Sequence, residues 1–163
     1  MTVDGTNGIT FPDASAQPKA SVQPPQSMVR VNTANGYGST NIDIARLTTV
    51  VTNQGSDITY ADSATLGALF TINTSGVYSI SYTYCGVAGG FFGISLNSTG
   101  LSTVIQSITA TERLCLGQIY GASATSTIST CMYLPAGSLI RPHGDATTNG
   151  TAANHQCTIV RVA

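Results

Sequence analysis

The side chains able to do chemistry are few in this chain, and several of them gather near its C-terminal end. The segments "RPHGD" (Arg141–Asp145) and "NHQC" (Asn154–Cys157) set His143 two residues before Asp145 and His155 two before Cys157. On extended backbone, residues two apart share a face, so each pair could offer two metal ligands together. A hairpin around "ATTNGTAA" would bring all four into one place. The competing reading leaves both histidines near surface loops and turns Cys157 inward. That is the ordinary fate of such residues, so neither a metal nor any other cofactor is assigned.

Other catalytic patterns are missing. There is no Gly-x-Ser-x-Gly elbow, no phosphate-cradling glycine loop and no Cys-x-x-Cys pair. The acids are Asp4, Asp13, Asp43, Asp57, Asp62, Glu112 and Asp145. Asp57 and Asp62 flank "ITYA", where turn formation explains an aspartate without a paired-carboxylate cleft. The chain reads as a non-enzyme. For binding, the candidates are aromatic and polar groups in loops, since sugars are held by ring stacking and a few hydrogen bonds. Tyr37 in "NGYGS" and Phe91 in "GGFFG" are flanked by glycines, while Phe92 alternates with Ile94 and Leu96 and belongs in a core. Tyr120, Arg141, His143 and Asp145 complete the receptor-contact set. For each aromatic, burial in the core or in a subunit seam is the plainer alternative.

The elements that must position these groups are strands. The chain has 163 residues and a net charge of −1, and only 8% of its residues are charged, against roughly 25% in an average globular protein. Its polarity comes from 24 threonines and 17 serines, with Lys19 and Glu112 the only residues of their types. β-Branched threonine suits a pleated sheet, so the composition is all-β. So neutral a chain offers nothing to a phosphate backbone or an anionic membrane surface, and nucleic-acid binding is disfavoured. No apolar run is long enough to span a bilayer, and "MTVDGTNG" lacks the basic and apolar parts of a signal peptide.

Two regions differ in texture. Residues 1–27 hold Pro12, Pro18, Pro24 and Pro25 with little periodicity, and read as an extended N-terminal arm with at most a short strand at "GITF". Residues 28–163 form the head domain. They alternate in short runs: "MVRVN", "NIDIARL", "DITYA", "ALFTIN", "VYSISYTYC", "FFGISLN", "STVIQSI", "ERLCLGQIY", "STISTCMYL", "SLIRP" and "QCTIVRV". "NQGSD", "NTSG", "NSTG", "PAGS" and "DATTNGT" mark turns between them, at the spacing of a sandwich or barrel. A helix at "SITATERLCLG" is a weaker alternative, opposed by its threonines and flanking glycine.

"VYSISYTYC" puts Tyr78, Ile80, Tyr82 and Tyr84 on one face and Val77, Ser79, Ser81, Thr83 and Cys85 on the other. Tyr78, Tyr82, Tyr84 and Tyr133 are therefore assigned to the core or to a subunit interface, where a phenol finds both apolar contact and a polar partner. So little charge suits a subunit that hides much of its surface in an obligate oligomer. In a trimer, a histidine or acid near the three-fold axis would meet two copies of itself and could hold an ion. Cys85, Cys115, Cys131 and Cys157 lie in apolar-alternating stretches and read as free buried thiols of a reducing cytoplasm.

The segment Asn53–Tyr84 resembles the central signature of the tumour necrosis factor and complement globular-head family. The matching positions are Asn53, Gly55, Tyr60, Phe70, Ile72, Gly76, Tyr78, Ile80 and Tyr82. "STISTCMYLPAGSLIRPHGD" resembles the family's later strands, with its Leu-x-x-Gly turn at Leu134 and Gly137. "QCTIVRVA" sits where the family has its last core strand, with Cys157, Ile159 and Val162 replacing the usual Phe-x-Gly-Phe pattern. This resemblance covers roughly residues 41–162. It implies an all-β, ten-stranded jelly-roll sandwich assembled as a homotrimer, with aromatic and small residues around the three-fold axis.

Separately, "GTNGITFPDASAQPKA" (Gly5–Ala20) resembles segments that precede the distal domains of bacteriophage tail fibres and tailspikes, with Ala14 at a usual glycine. Together the two resemblances imply a fibre tip on the virion tail, assembled in the host cytoplasm. Its partners would be two more copies of itself, the upstream tail fibre shaft, and a bacterial surface glycan or outer-membrane protein, with no membrane insertion. The alternatives are a purely structural trimerisation cap and a secreted complement- or cytokine-like ligand domain. The sequons at Asn73, Asn97 and Asn149 would favour the latter if glycosylated.

Overall fold

The computed structural model describes residues 2–4, 8–10, 16–17, 26–33, 43–101, 104–121, 124–144 and 154–163. Three short strands, β1 (Thr2–Asp4), β2 (Gly8–Thr10) and β3 (Ala16–Gln17), pair antiparallel in that order as a sheet of their own. β2 falls on the "GIT" of the expected short strand.

The head is built from ten strands in two antiparallel sheets of five. One sheet has the order β11 (Ala124–Leu134), β8 (Gly76–Gly86), β13 (Gln156–Arg161), β4 (Met28–Asn32), β5 (Thr49–Gln54). The other runs β10 (Arg113–Gln118), β9 (Phe91–Leu96), β12 (Leu139–Gly144), β7 (Gly67–Ile72), β6 (Ile58–Ser63). Among the described residues the only helical segment is a 3-10 turn at Ile105–Ser107, and none is long and apolar enough to cross a membrane.

β8 organises the packing. Its alternation buries Tyr78, Ile80, Tyr82 and Tyr84, while Val77, Ser79, Ser81 and Thr83 stay half-exposed. It pairs with β11 over eleven residues without a shift, from Gly76 opposite Leu134 to Gly86 opposite Ala124. The inward side chains meet Phe70, Ile72, Phe92, Ile94 and Ile140 from the other sheet. Phe92 stacks on Tyr84 at 5.6 Å between ring centroids and takes the Tyr82 ring edge-on at 5.8 Å. At about 1.5–3 kcal/mol per buried large apolar side chain, this one strand supplies a large share of the hydrophobic stabilisation.

Two expected strands do not form, and one that was not expected does. "NIDIARL" is no strand. Ala45 N–H donates to the Pro142 carbonyl while its own carbonyl accepts from Ala68 N–H, so the segment bridges two strands instead of extending one ladder. Ile44, Ala45 and Leu47 are buried there all the same. Thr49–Gln54 is the actual edge strand β5, and its Val50 and Val51 are exposed, which hid it from a reading based on alternation. "STVIQSI" gives the 3-10 turn instead of a strand, whereas "ERLCLGQIY" forms its expected strand, β10. The arm–head boundary expected at residue 28 falls one residue after a buried serine, Ser27, whose Oγ donates to Asp57 at 2.8 Å.

Candidate functional site

β12 and β13 carry the histidine segments, and they lie in different sheets, so the hairpin that would have gathered four ligands does not form. Among the described residues no three His, Cys, Asp or Glu side chains gather to hold a metal. Asp145 and Tyr37 lie outside the described residues. His143, expected at a receptor surface, is instead fully buried. Register explains this: His143 sits opposite Gly93 on β9 and bridges Ile44 on its other side. Its Nε2 lies 2.7 Å from the buried Ser95 Oγ, and its Nδ1 meets no partner among the described residues. Burial first, and Arg141 second, push its pKa down to about 4.

His155, also buried, packs edge-on against Tyr84 with 5.1 Å between ring centroids. Gly144 is pressed against the other part of that phenol, since a Cβ there would come 2.3 Å from the ring. His155 and Gly144 thus flank one tyrosine inside the sandwich. This is a structural arrangement.

The tyrosines divide sharply. Tyr78, Tyr82 and Tyr84 lie within the core of a single chain, because the second sheet covers their face of β8. Tyr78 donates its hydroxyl to the Thr74 carbonyl at 2.6 Å. Tyr133 projects from the uncovered face of β11, opposite Val77, and is 62% exposed.

That uncovered face is uniform in its chemistry. β8 contributes Ser79, Ser81 and Thr83, and β11 contributes Thr125, Thr127, Ser129 and Cys131. β13 and β4 extend it with Thr158, Val160 and Met28, and Arg30 is the one charge on these four strands' outward positions. Arg30 is engaged with Gln156 at 2.9 Å. None of the four cysteines forms a disulfide, only Cys85 and Cys157 are buried, and Cys131 is exposed because it falls on this outer face. Burial pushes the half-buried Cys115 thiol up to about 11, which keeps it protonated near neutral pH.

The remaining receptor candidates are scattered. Phe91 is half-buried at the start of β9. Arg141 spends its guanidinium on the Leu66 carbonyl at 3.1 Å. Tyr120 is 86% exposed, the most open of the large hydrophobics among the described residues. Its neighbour Ile119 is buried and pinned by backbone bonds to Gly89 and Gly90, which ties the Tyr120 backbone to the β8–β9 connection, where Val87 is exposed. Residues 86–90 and 119–121 lie at the end of β8 opposite Gly76, and the chain enters the head at the Gly76 end, through Ser27 and Met28.

With two five-stranded sheets in this order, the solved structures most like the chain can be compared. Murine APRIL at pH 5.0 superposes with a TM-score of 0.56 at 13% identity, covering 84% of this chain and 99% of that one. Bushbaby GITRL gives a TM-score of 0.52 at 13% identity, covering 85% and 95%.

The fold is a tumour necrosis factor-like jelly roll.

At such identities the likeness extends to the fold alone. No family model and no curated protein matches the sequence. Within the jelly roll, the tyrosine-bearing strand expected from Asn53–Tyr84 is the interior strand β8, and the last strand β13 pairs beside it at the centre of the sheet. Sequence reasoning missed the uncovered threonine face as a site, although the period-2 pattern of "STISTCMYL" already separates Thr127, Ser129, Cys131 and Tyr133 from the covered set.

Proposed function

We propose that this chain is a non-enzymatic recognition head that self-associates through the uncovered face of β11, β8, β13 and β4 and presents the Tyr120 end to a partner. The observation that carries the reading is that face, whose only charge, Arg30, is already engaged. A broad sheet surface of serine, threonine, Val160, Met28 and Tyr133 suits burial against another copy, because only one ion, Arg30, has to be desolvated. The jelly-roll resemblance implies three copies. Tyr120 and Val87, remote from the point of chain entry, suit contact with a macromolecule.

The solved neighbours favour the complement- or cytokine-like ligand reading, in which the partner is a protein receptor. They lend nothing to the tail-fibre tip, which rests on Gly5–Ala20 alone, nor to a glycan or a fibre shaft as partner. Light scattering on dilute protein tests assembly: the expected mass is three times the 16.7 kDa of one chain. A stable single-chain mass overturns the proposal. Labelled protein offered to bacterial and to animal cells then separates the two readings, and Tyr120→Ala should weaken the binding at least tenfold.

A further inference from the structure

A hollow of about 180 Å³ opens between the β9–β10 connection and the start of β10, lined by Ser98, Thr99, Ser107, Ile108, Thr109 and Glu112. It belongs to the sheet opposite the proposed association face, and none of the receptor candidates lines it. We propose that this hollow binds one neutral sugar unit, with Glu112 as the anchoring acceptor.

The walls are held from below. Asn97 adopts a left-handed φ of 52°, and its Oδ1 accepts the Leu139 N–H at 2.7 Å while its own N–H reaches the Leu139 carbonyl. This pins one rim to β12. Gly100 N–H closes the rim onto Ser98 Oγ at 3.2 Å. The other rim is the 3-10 turn, whose Ile105 is fully buried and whose Ile108 is 5% exposed. Glu112 joins the rims, its N–H on the Thr109 carbonyl and its carbonyl accepting from Leu96 N–H.

The chemistry selects the ligand. Glu112 is the only glutamate of the chain and makes no ion pair among the described residues. The adjacent Arg113 is committed to the Gln106 carbonyl at 2.8 Å. A carboxylate accepts from two hydroxyls at once, and each surrounding Ser or Thr hydroxyl both donates and accepts. Sugar hydroxyls require that combination, and the edge of Ile108 offers an apolar contact to a ring's C–H face. The volume equals roughly six waters at about 30 Å³ each, the space of one pyranose and far more than one ammonium group or ion. A divalent cation would want several charged oxygens, and only one is present.

A ligand of this size is bounded to an affinity on the order of 1 mM per site, which several copies on one assembly would raise by avidity. The test is NMR titration of the assembled protein with glucose, galactose, mannose and N-acetylglucosamine, with glucuronate and Ca²⁺ as separate arms. The expected result is saturable shifts at the Thr99, Gly100 and Thr109 amides with a neutral sugar, weakened at least tenfold in Glu112→Gln and in Ser107→Ala. Glucuronate, repelled by Glu112, should not bind. Silence from every neutral sugar at tens of millimolar overturns the proposal, as do shifts produced by Ca²⁺ alone. Because these signals are independent of solution mass, failure here leaves the assembly reading standing, and the reverse.

Discussion

Ser95 and His143 face each other across the β9–β12 pair with Oγ and Nε2 2.7 Å apart, both buried. An imidazole so placed can be neutral in the folded chain but gains a proton freely once unfolded.

The acid sensitivity of the head follows from that pair. The unfolded histidine titrates near 6.5 and the folded one near 4, so between those values the unfolded state binds more protons and stability falls as pH drops. At 1.36 kcal/mol per unit the full loss is about 3 kcal/mol, complete below pH 4 and absent above pH 6.5. Denaturant melts across this window should show it, and His143→Gln should flatten the slope there. Asp57, held below its usual carboxylate range by hydrogen bonds from Thr74 and Ser27, adds a further loss only at lower pH. A wild-type curve that is flat from pH 6.5 to 4 would contradict the buried neutral imidazole.

Gly144→Ala tests the contact with Tyr84. The added methyl would sit 2.3 Å from the ring, which itself is wedged between Gly144, His155 and Phe92. Overpacking of this kind costs about 1–3 kcal/mol, or a drop of roughly 2–4 °C in Tm per kcal/mol at this chain length. Calorimetry would measure it.

Two tyrosine-to-phenylalanine changes on one strand should act in opposite directions. Tyr78→Phe loses the 2.6 Å bond to Thr74 and should cost about 1 kcal/mol. The Tyr82 hydroxyl is buried without a partner among the described residues, so Tyr82→Phe should be neutral or stabilising by up to about 1 kcal/mol. Urea midpoints of the two variants, compared with the parent, are sufficient.

Ser129→Glu probes the association face. Ser129 is exposed opposite Ser81 in the middle of the β8–β11 pair, so a lone chain should tolerate the change within about 0.5 kcal/mol. Three copies would each bury an unpaired carboxylate, and the solution mass should fall towards 16.7 kDa. Retention of the assembled mass would move the interface elsewhere.

Much of this fold was legible in strand periodicity. "VYSISYTYC" and "STISTCMYL" alternate cleanly because each has one covered and one open face, and a period of 2 records that directly. β5 escaped notice because an edge strand with Val50 and Val51 exposed carries no such contrast. Ile44 to Leu47 misled for the opposite reason, since buried residues in a bridging segment look like a strand without forming a ladder.

By itself, the sequence determined the all-β class, the inward tyrosine stripe and the near absence of charge, since these depend on side-chain type and local alternation. Which sheet each strand joins was decided only by tertiary structure, and with it the burial of His143, the separation of β12 from β13 and the hollow beside Glu112. Those outcomes rest on contacts between residues far apart in the chain, and spacing along a sequence carries no record of which distant strand will lie opposite.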